Sequence, residues 1–413
     1  MEYNLNSKDA YGALRIKNYQ RFIAARLLLT FAIQMQSVIV GWQIYSITRD
    51  PLSLGLIGMS EVIPFFCVAL FAGHVADIVN RKTIILSTNL VYFVCAIALL
   101  LVSTSLHPVM AHFGVLPIYM IIFITGIARG FMSPAQSAFA SQLVPMELFG
   151  NSATWNSVAW QTADITGPAI GGLVYAYFGV GTAYSLVVFF AAMGWIFFYF
   201  IEKQPLPERA KKENIWQSLS SGIKFVFGNQ VLVSAITLDM FAVFFGGVVC
   251  VLPIFADQVF HTGAKGLGFL RAAPATGAII MCLVQANWPL FKHAGRNLLI
   301  GVFVFGVSII MFALSRNFYL SLFILMIGGM FDNISVVIRA TIIQLFTPNE
   351  MRGRVASVNG IFLGSSNELG SFESGVAAKL MGLIPSVIFG GSMTLGVVAA
   401  VRKLAPKLRD LKI

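Results

Sequence analysis

The stretch Thr83–Thr104, TIILSTNLVYFVCAIALLLVST, contains no Asp, Glu, Lys or Arg. It is long enough to cross the hydrocarbon core of a bilayer, which takes about 20 residues of helix. Eleven other apolar stretches of similar length flank it, making twelve candidate spans of which this is the third. The sixth (Thr182–Ile201), ninth (Leu298–Ser315) and twelfth (Ile384–Val401) are also free of charge. Every other span holds an ionisable residue: Arg26 in one, Glu61 in two, Arg129 in four and Asp164 in five. The second half continues with Asp239 in seven, Arg271 in eight, Asp332 and Arg339 in ten, and Glu368 and Glu373 in eleven. A charge in hydrocarbon costs roughly 2.5–3.5 kcal/mol even on the lenient insertion scale, so such residues face a wet or protein-lined interior. The simplest geometry is four lipid-facing helices at the periphery and eight around a central cavity, which is the plan of a transporter.

Composition agrees. With 57% hydrophobic and 11% charged residues, the chain is not an ordinary soluble protein. The polar segment Met1–Gln20 leads straight into the first span without a small-residue cleavage site, so no cleavable leader is expected. Cys67, Cys95, Cys250 and Cys282 all fall inside spans and the five histidines fall in loops; neither set has metal-ligand spacing. No cofactor or metal is expected, and without a nucleophile–base pair an enzyme is not expected either.

The net charge of +11 does not indicate nucleic acid. With the N-terminus cytoplasmic, 20 of the 28 Lys and Arg fall on the cytoplasmic side and 4 (Arg49, Lys265, Arg316 and Lys379) on the other. That asymmetry is the positive-inside signature, and it puts both termini in the cytoplasm.

The chain is also duplicated. At an offset of 203 residues, Pro145 pairs with Pro348, Glu147 with Glu350, Gly150 with Gly353, Ala153 with Ala356, Asn156 with Asn359, Gly167 with Gly370 and Gly172 with Gly375. Spans two and eight align on Leu54-Gly55 and Leu267-Gly268 at an offset of 213. The halves meet at the polar run Glu202–Glu213, EKQPLPERAKKE, which reads as a linker and is followed by an amphipathic segment near Ile215–Phe227. The expected organisation is an N-terminal six-helix bundle (1–201), a linker (202–228) and a C-terminal six-helix bundle (229–413). The expected fold is an all-α integral membrane protein of twelve transmembrane helices in two pseudo-symmetric bundles. Parallel repeats of this kind put a substrate site at their interface and work by alternating access. The offsets also match Arg129 with Asp332 and Arg26 with Asp239, so that two cations in one half correspond to two anions in the other.

Several motifs resemble the major facilitator superfamily. Gly73-His74-Val75-Ala76-Asp77-Ile78-Val79-Asn80-Arg81-Lys82 resembles its loop 2–3 signature with one residue fewer than the commonest spacing, which implies a gating loop built on Gly73, Asp77, Arg81 and Lys82. The matching loop Trp288–Asn297 keeps Arg296 but lacks the Asp, implying a weaker second gate. Asp164-Ile165-Thr166-Gly167-Pro168-Ala169-Ile170-Gly171-Gly172 is similar to the antiporter signature of exporters, on Gly167, Pro168, Gly171 and Gly172. Arg129, within Gly126–Gly130, resembles the basic motif associated with proton coupling. Nearly the whole chain resembles the enterobactin-exporter-like group of drug and siderophore exporters, notably at Arg21–Arg26 and from Pro348 through Gly360.

The resemblance implies a bacterial inner-membrane exporter of a small amphiphilic molecule, driven by protons and acting as a monomer in the lipid bilayer. Related exporters use acids in spans seven and ten, which implies Asp239 and Asp332 as proton carriers, with Asp164, Arg129 and Arg26 as coupled groups. Glu61, Gln34, Gln36, Asn333, Asn367, Glu368, Glu373 and Trp160 are expected around the substrate cavity. Glu368 and Glu373 are about 140° apart on a helix and do not both face it fully. A facilitator or importer and a lysolipid flippase of the same fold stay open as alternatives.

Overall fold

The computed structural model describes residues 11–205, 215–287, 293–348 and 351–412. Among them there is no strand. The first half contains α1 (Lys17–Thr48), α2 (Pro51–Ile78), α3 (Arg81–Thr104), the short α4 (His107–Phe113), α5 (Leu116–Ala140) and α6 (Phe149–Tyr199). A connecting α7 (Ile215–Gly228) precedes α8 (Gln230–Gly246), the single turn α9 (Leu252–Ile254), α10 (Gly263–Asn287) and α11 (Ala294–Leu314). The chain ends with α12 (Phe318–Phe346), α13 (Arg352–Met381), α14 (Leu383–Leu404) and the short α15 (Pro406–Arg409).

Among the described residues, ten segments are long and apolar enough to span a membrane. One of them holds two spans, because Gly179 (φ 79°, ψ 175°) interrupts the helix within α6. Adding α13, 30 residues long but made polar by its Asn and Glu, gives the twelve expected. At the matching turn between α13 and α14 lies Gly382 (φ 88°, ψ 163°). Gly179 and Gly382 are 203 residues apart, the duplication offset, and both use a left-handed backbone that a Cβ disfavours.

Asn side chains start three of the helices. Asn80 accepts from the amide of Lys82, Asn229 from those of Val231 and Leu232, and Asn317 from that of Leu320. Cations finish others: Arg81 donates to the Ala138 carbonyl at the end of α5 (3.2 Å) and Lys82 to the Tyr199 carbonyl at the end of α6 (2.9 Å). The charge-free spans turn apolar stripes outward: Leu90, Val94 and Leu101 on α3, and Ile300, Phe303, Met311 and Leu314 on α11. In a bilayer these faces meet acyl chains at no cost.

The chain forms two compact units, Met1–Gln43 with Ile63–Lys212 and Ile44–Val62 with Glu213–Ile413. In the first, α3 packs on α5 and α6, and Phe22 sits edge-on to Phe198 at 5.8 Å in a core with Tyr19, Ile85 and Phe139. In the second, α11 lies between α12 and α14, α10 packs on α12, and α8 packs on α13 and α14. The crossing of α10 and α12 is glycine-dependent. A Cβ on Gly329 would fall on the Pro274 carbonyl oxygen, and one on Gly277 on that of Met326. Gly329→Ala should therefore lower the melting temperature in detergent, with an overpacking cost of about 1–3 kcal/mol. An unchanged melting curve would show that this crossing tolerates a methyl group.

Candidate functional site

Two groups of helices bring polar residues together, α1 with the first part of α6 and α8 with α12 and α13. In the first unit, α1 faces α6 through a ladder of polar contacts. The Tyr19 hydroxyl donates to the Ser152 carbonyl (2.7 Å), Arg26 Nη1 to Asn156 Oδ1 (3.1 Å) and Gln34 Nε2 to Asp164 Oδ1. The antiporter-like run makes this approach possible, since a Cβ on Gly167 would come 2.8 Å from Gln34 Cβ and one on Gly171 3.2 Å from Met35 Cα. Pro168 lies buried in α6 and lacks the amide that would bond the carbonyl of Asp164, the residue four positions back. Gly172 is buried beside it. Small residues and proline thus bring an acid-bearing stretch of helix against α1.

The same construction recurs in the second unit at the duplication offsets. A Cβ on Gly167 would be 3.2 Å from the Phe31 carbonyl oxygen, and one on Gly370 2.7 Å from that of Phe244, where Phe31 and Phe244 are 213 residues apart. Here, however, α8 stops at Gly246. The chain passes through Gly247 (φ −70°, ψ 62°), a 3-10 turn, and a π turn at Phe255–Val259. Ser374 Oγ on α13 donates to the Gly247 carbonyl (3.1 Å), satisfying an oxygen that the broken helix releases.

Asp239 on α8 is 2% exposed and forms an ion pair with Arg339 on α12, itself 5% exposed. Ser335 Oγ also donates to Asp239 Oδ1 at 3.4 Å. Asp332, Ser335 and Arg339 are spaced i, i+3, i+7 and so share one face of α12. Asp332 is half-buried, and among the described residues no hydrogen bond or ion pair engages it. Next to it, buried Asn333 accepts from Gln285 Nε2 (3.3 Å) and Cys282 Sγ (3.4 Å) on α10.

The remaining expected residues are more dispersed. Arg129 Cζ lies 5.9 Å from the centre of the Phe65 ring. Gln36 is buried, Trp160 is 48% exposed, and exposed Asn367 donates to its own helix at the Leu363 carbonyl (3.2 Å). Glu61, Glu368 and Glu373 are half-buried. The side chains of Gly73 and Asp77 lie outside the described residues, as do residues 288–292 of the matching loop.

Sequence reasoning assigned no site role to Arg339, Asn156, Ser335, Gln285 or Ser374. Arg339 carried a signal, standing two helical turns from Asp332 on the same face. Another feature is the segment Ile44–Val62, grouped with the second unit. Arg49, at φ 52°, pairs with Asp257 in the π turn and lies over the Tyr45 ring, 5.3 Å from its centre. The Tyr45 hydroxyl reaches Asp257 at 3.4 Å, and Lys379 Nζ meets Asp50 at 3.1 Å. Two glycines let the backbones touch: a Cβ on Gly58 would be 2.7 Å from the Glu368 carbonyl oxygen, and one on Gly375 2.8 Å from Gly55 Cα.

Residues 8–412 match the family model described as "Transmembrane secretion effector". The chain belongs to this family, within the major facilitator superfamily. It is a multi-pass membrane transporter that acts on a small molecule, and not an enzyme. It is 25% identical over 348 residues to the enterobactin exporter EntS of Shigella flexneri, covering 83% of this chain and 80% of that one. It is 24% identical over 351 residues to EntS of Escherichia coli O1:K1, with the same coverage. Solved structures share the fold at low identity. A POT family transporter in complex with 5-aminolevulinic acid gives a TM-score of 0.74 at 13% identity, over 94% of this chain and 96% of that one. A D-xylose-proton symporter gives 0.73 at 14%, over 95% and 99%.

Proposed function

We propose that this transporter exports a small amphiphilic molecule, drug-like or siderophore-like, from the cytoplasm by proton antiport with alternating access. The observation that carries the reading is the polar face of α12, where Asp332, without a partner among the described residues, stands two turns from the buried Asp239–Arg339 pair. Protonating Asp239 dissolves the attraction that holds Arg339, and protonating Asp332 removes a charge the span bears at a cost. Either event changes which local arrangement of α8 and α12 is favoured. On this reading Asp239 and Asp332 are the proton carriers, and Asp164, held by Gln34 beside the Gly-Pro run, responds to the same change in the other half. The kinship with the enterobactin exporters and the Gly167-Pro168 run both support export over import. The Lys and Arg asymmetry supports cytoplasmic termini in a bacterial inner membrane, and the presence of both repeats in one chain supports a monomer.

The test uses purified protein in liposomes with an imposed pH gradient and a panel of catecholate siderophores, cationic dyes, macrolides and lysolipids. Gradient-dependent movement of any member establishes antiport and identifies the cargo class. Movement that ignores the gradient overturns it in favour of a facilitator or flippase.

Alternating access further requires the Ile44–Val62 segment to part from its contacts during the cycle, and the Arg49–Asp257 and Asp50–Lys379 pairs then act as a latch. Asp257→Asn should speed the labelling of Cys250 by a membrane-impermeant maleimide added from outside, in a protein whose other cysteines are replaced by Ser. Labelling at the unaltered rate would mean that the pair does not restrain opening.

A further inference from the structure

A groove of about 360 Å³ runs along the second unit between α11 and α14. Its floor is apolar, formed by Phe303, Leu395, Val398 and Ala399, and its mouth is basic, formed by Arg402, Lys403 and Arg409. On α14 these residues are spaced i, i+3, i+4, i+7, i+8, so one helix face changes from apolar to cationic over about two turns. Contact with lipid tails accounts for the apolar part. It does not account for three cations converging on one opening.

The cations are largely uncompensated. Among the described residues neither Arg402 nor Lys403 has an ion pair or side-chain hydrogen bond. The acid at the mouth, Asp410, is already engaged by Arg409 through two bonds of 2.8 and 2.9 Å. The tail that brings Arg409 there is anchored. Leu408 is fully buried, the Gly295 amide donates to the Leu411 carbonyl (3.2 Å), and Gln230 Nε2 donates to the Leu404 carbonyl (3.1 Å). Gly295 is required for this close approach, because a Cβ there would fall on the Leu408 carbonyl oxygen. The basic mouth is therefore held in place by the fold.

We propose that this groove binds one anionic phospholipid from the leaflet at the C-terminal end of α14. Its phosphate sits on Arg402 and Lys403 with Arg409 at the rim, and an acyl chain lies along Phe303, Leu395 and Val398. Charge complementarity selects this occupant, since a zwitterionic lipid would bring a cation to a mouth that already has three. The bound lipid joins the end of α14 to the anchored tail, next to the start of α8, without touching the polar residues of α8 and α12.

The test is thermal unfolding of the full-length protein in neutral detergent, titrated separately with phosphatidylglycerol, phosphatidylcholine and inorganic phosphate. Phosphatidylglycerol alone should raise the midpoint. Arg402→Gln with Lys403→Gln should raise its half-saturating concentration by roughly tenfold or more. Lys407→Gln with Lys412→Gln removes the same charge from tail positions outside the groove lining and should leave that concentration unchanged. Ala399→Trp, at an exposed position of the groove lining, fills the apolar floor and keeps the cations, and should weaken phosphatidylglycerol without altering the lipid-free midpoint. Equal weakening by both double variants would reduce the effect to diffuse charge. A matching response to phosphate or to phosphatidylcholine would also overturn the proposal.

Discussion

Asp332→Asn should abolish pH-driven efflux and leave the protein folded, inserted and no less stable than the wild type. The two halves of this outcome share one physical cause. Asp332 is a half-buried acid within a span, and among the described residues nothing pairs with it. An ionised side chain in that setting costs roughly 2.5–3.5 kcal/mol, so an isosteric amide removes a burden and raises the melting temperature or leaves it unchanged. The amide also cannot accept and release a proton, and a carrier that cannot change charge cannot couple the gradient to the cargo. Asp332→Glu keeps the titrating group on a longer arm and should retain part of the driven flux. The measurement is efflux from proteoliposomes with and without the gradient, alongside melting in detergent. Gradient-driven transport at the wild-type rate in Asp332→Asn would remove this residue from the mechanism.

The largest expected loss of stability comes from Arg339→Leu. Asp239 is 2% exposed, and the guanidinium of Arg339 is its counter-charge. Removing one partner of a buried pair leaves the other charge uncompensated, at about 3–5 kcal/mol, enough to unfold a marginal membrane protein or to empty the membrane of it. Asp239→Asn in the same molecule removes the stranded charge and should restore most of the yield and melting temperature. The repaired double variant also separates structure from coupling. If Asp239 carries a proton, the double variant folds but shows no gradient-driven transport. A single variant that melts like the wild type would mean that water or another group compensates Asp239.

Much of this design can be read from the chain alone. Twelve apolar runs, with every third one free of charge, set the span count, and the repeat pairs Asn156–Asn359 and Gly167–Gly370 match α13 with the first part of α6. The amphipathic stretch after the linker is occupied by α7. The offset of 203 pairs Gly167 with Gly370; that each closely approaches a matching phenylalanine, Phe31 and Phe244, was visible only in the structure, where a repeat that keeps a small residue keeps the close approach it permits. The matched charges were harder to interpret. Arg26 and Asp239 correspond by offset, yet Arg26 bonds Asn156 and Asp239 bonds Arg339, each within its own unit. Nor did the sequence reveal the break in α8 after Gly246, since Gly-Gly in a span is equally compatible with a continuous helix.

What the sequence determined by itself is therefore whatever hydropathy and local spacing encode: membrane residence, the number of spans, the duplication and the superfamily. These are properties of contiguous segments, where the cost of an exposed amide or a buried charge is set by residues a few positions away. The tertiary structure alone decided which charge neutralises which and that Ile44–Val62 groups with the second unit. The partners lie far apart in sequence, Asp239 and Arg339 by 100 positions and Arg49 and Asp257 by 208. Their meeting depends on how each helix is rotated about its axis. One residue of register turns a side chain through about 100°, which is the difference between an ion pair and a charge facing lipid.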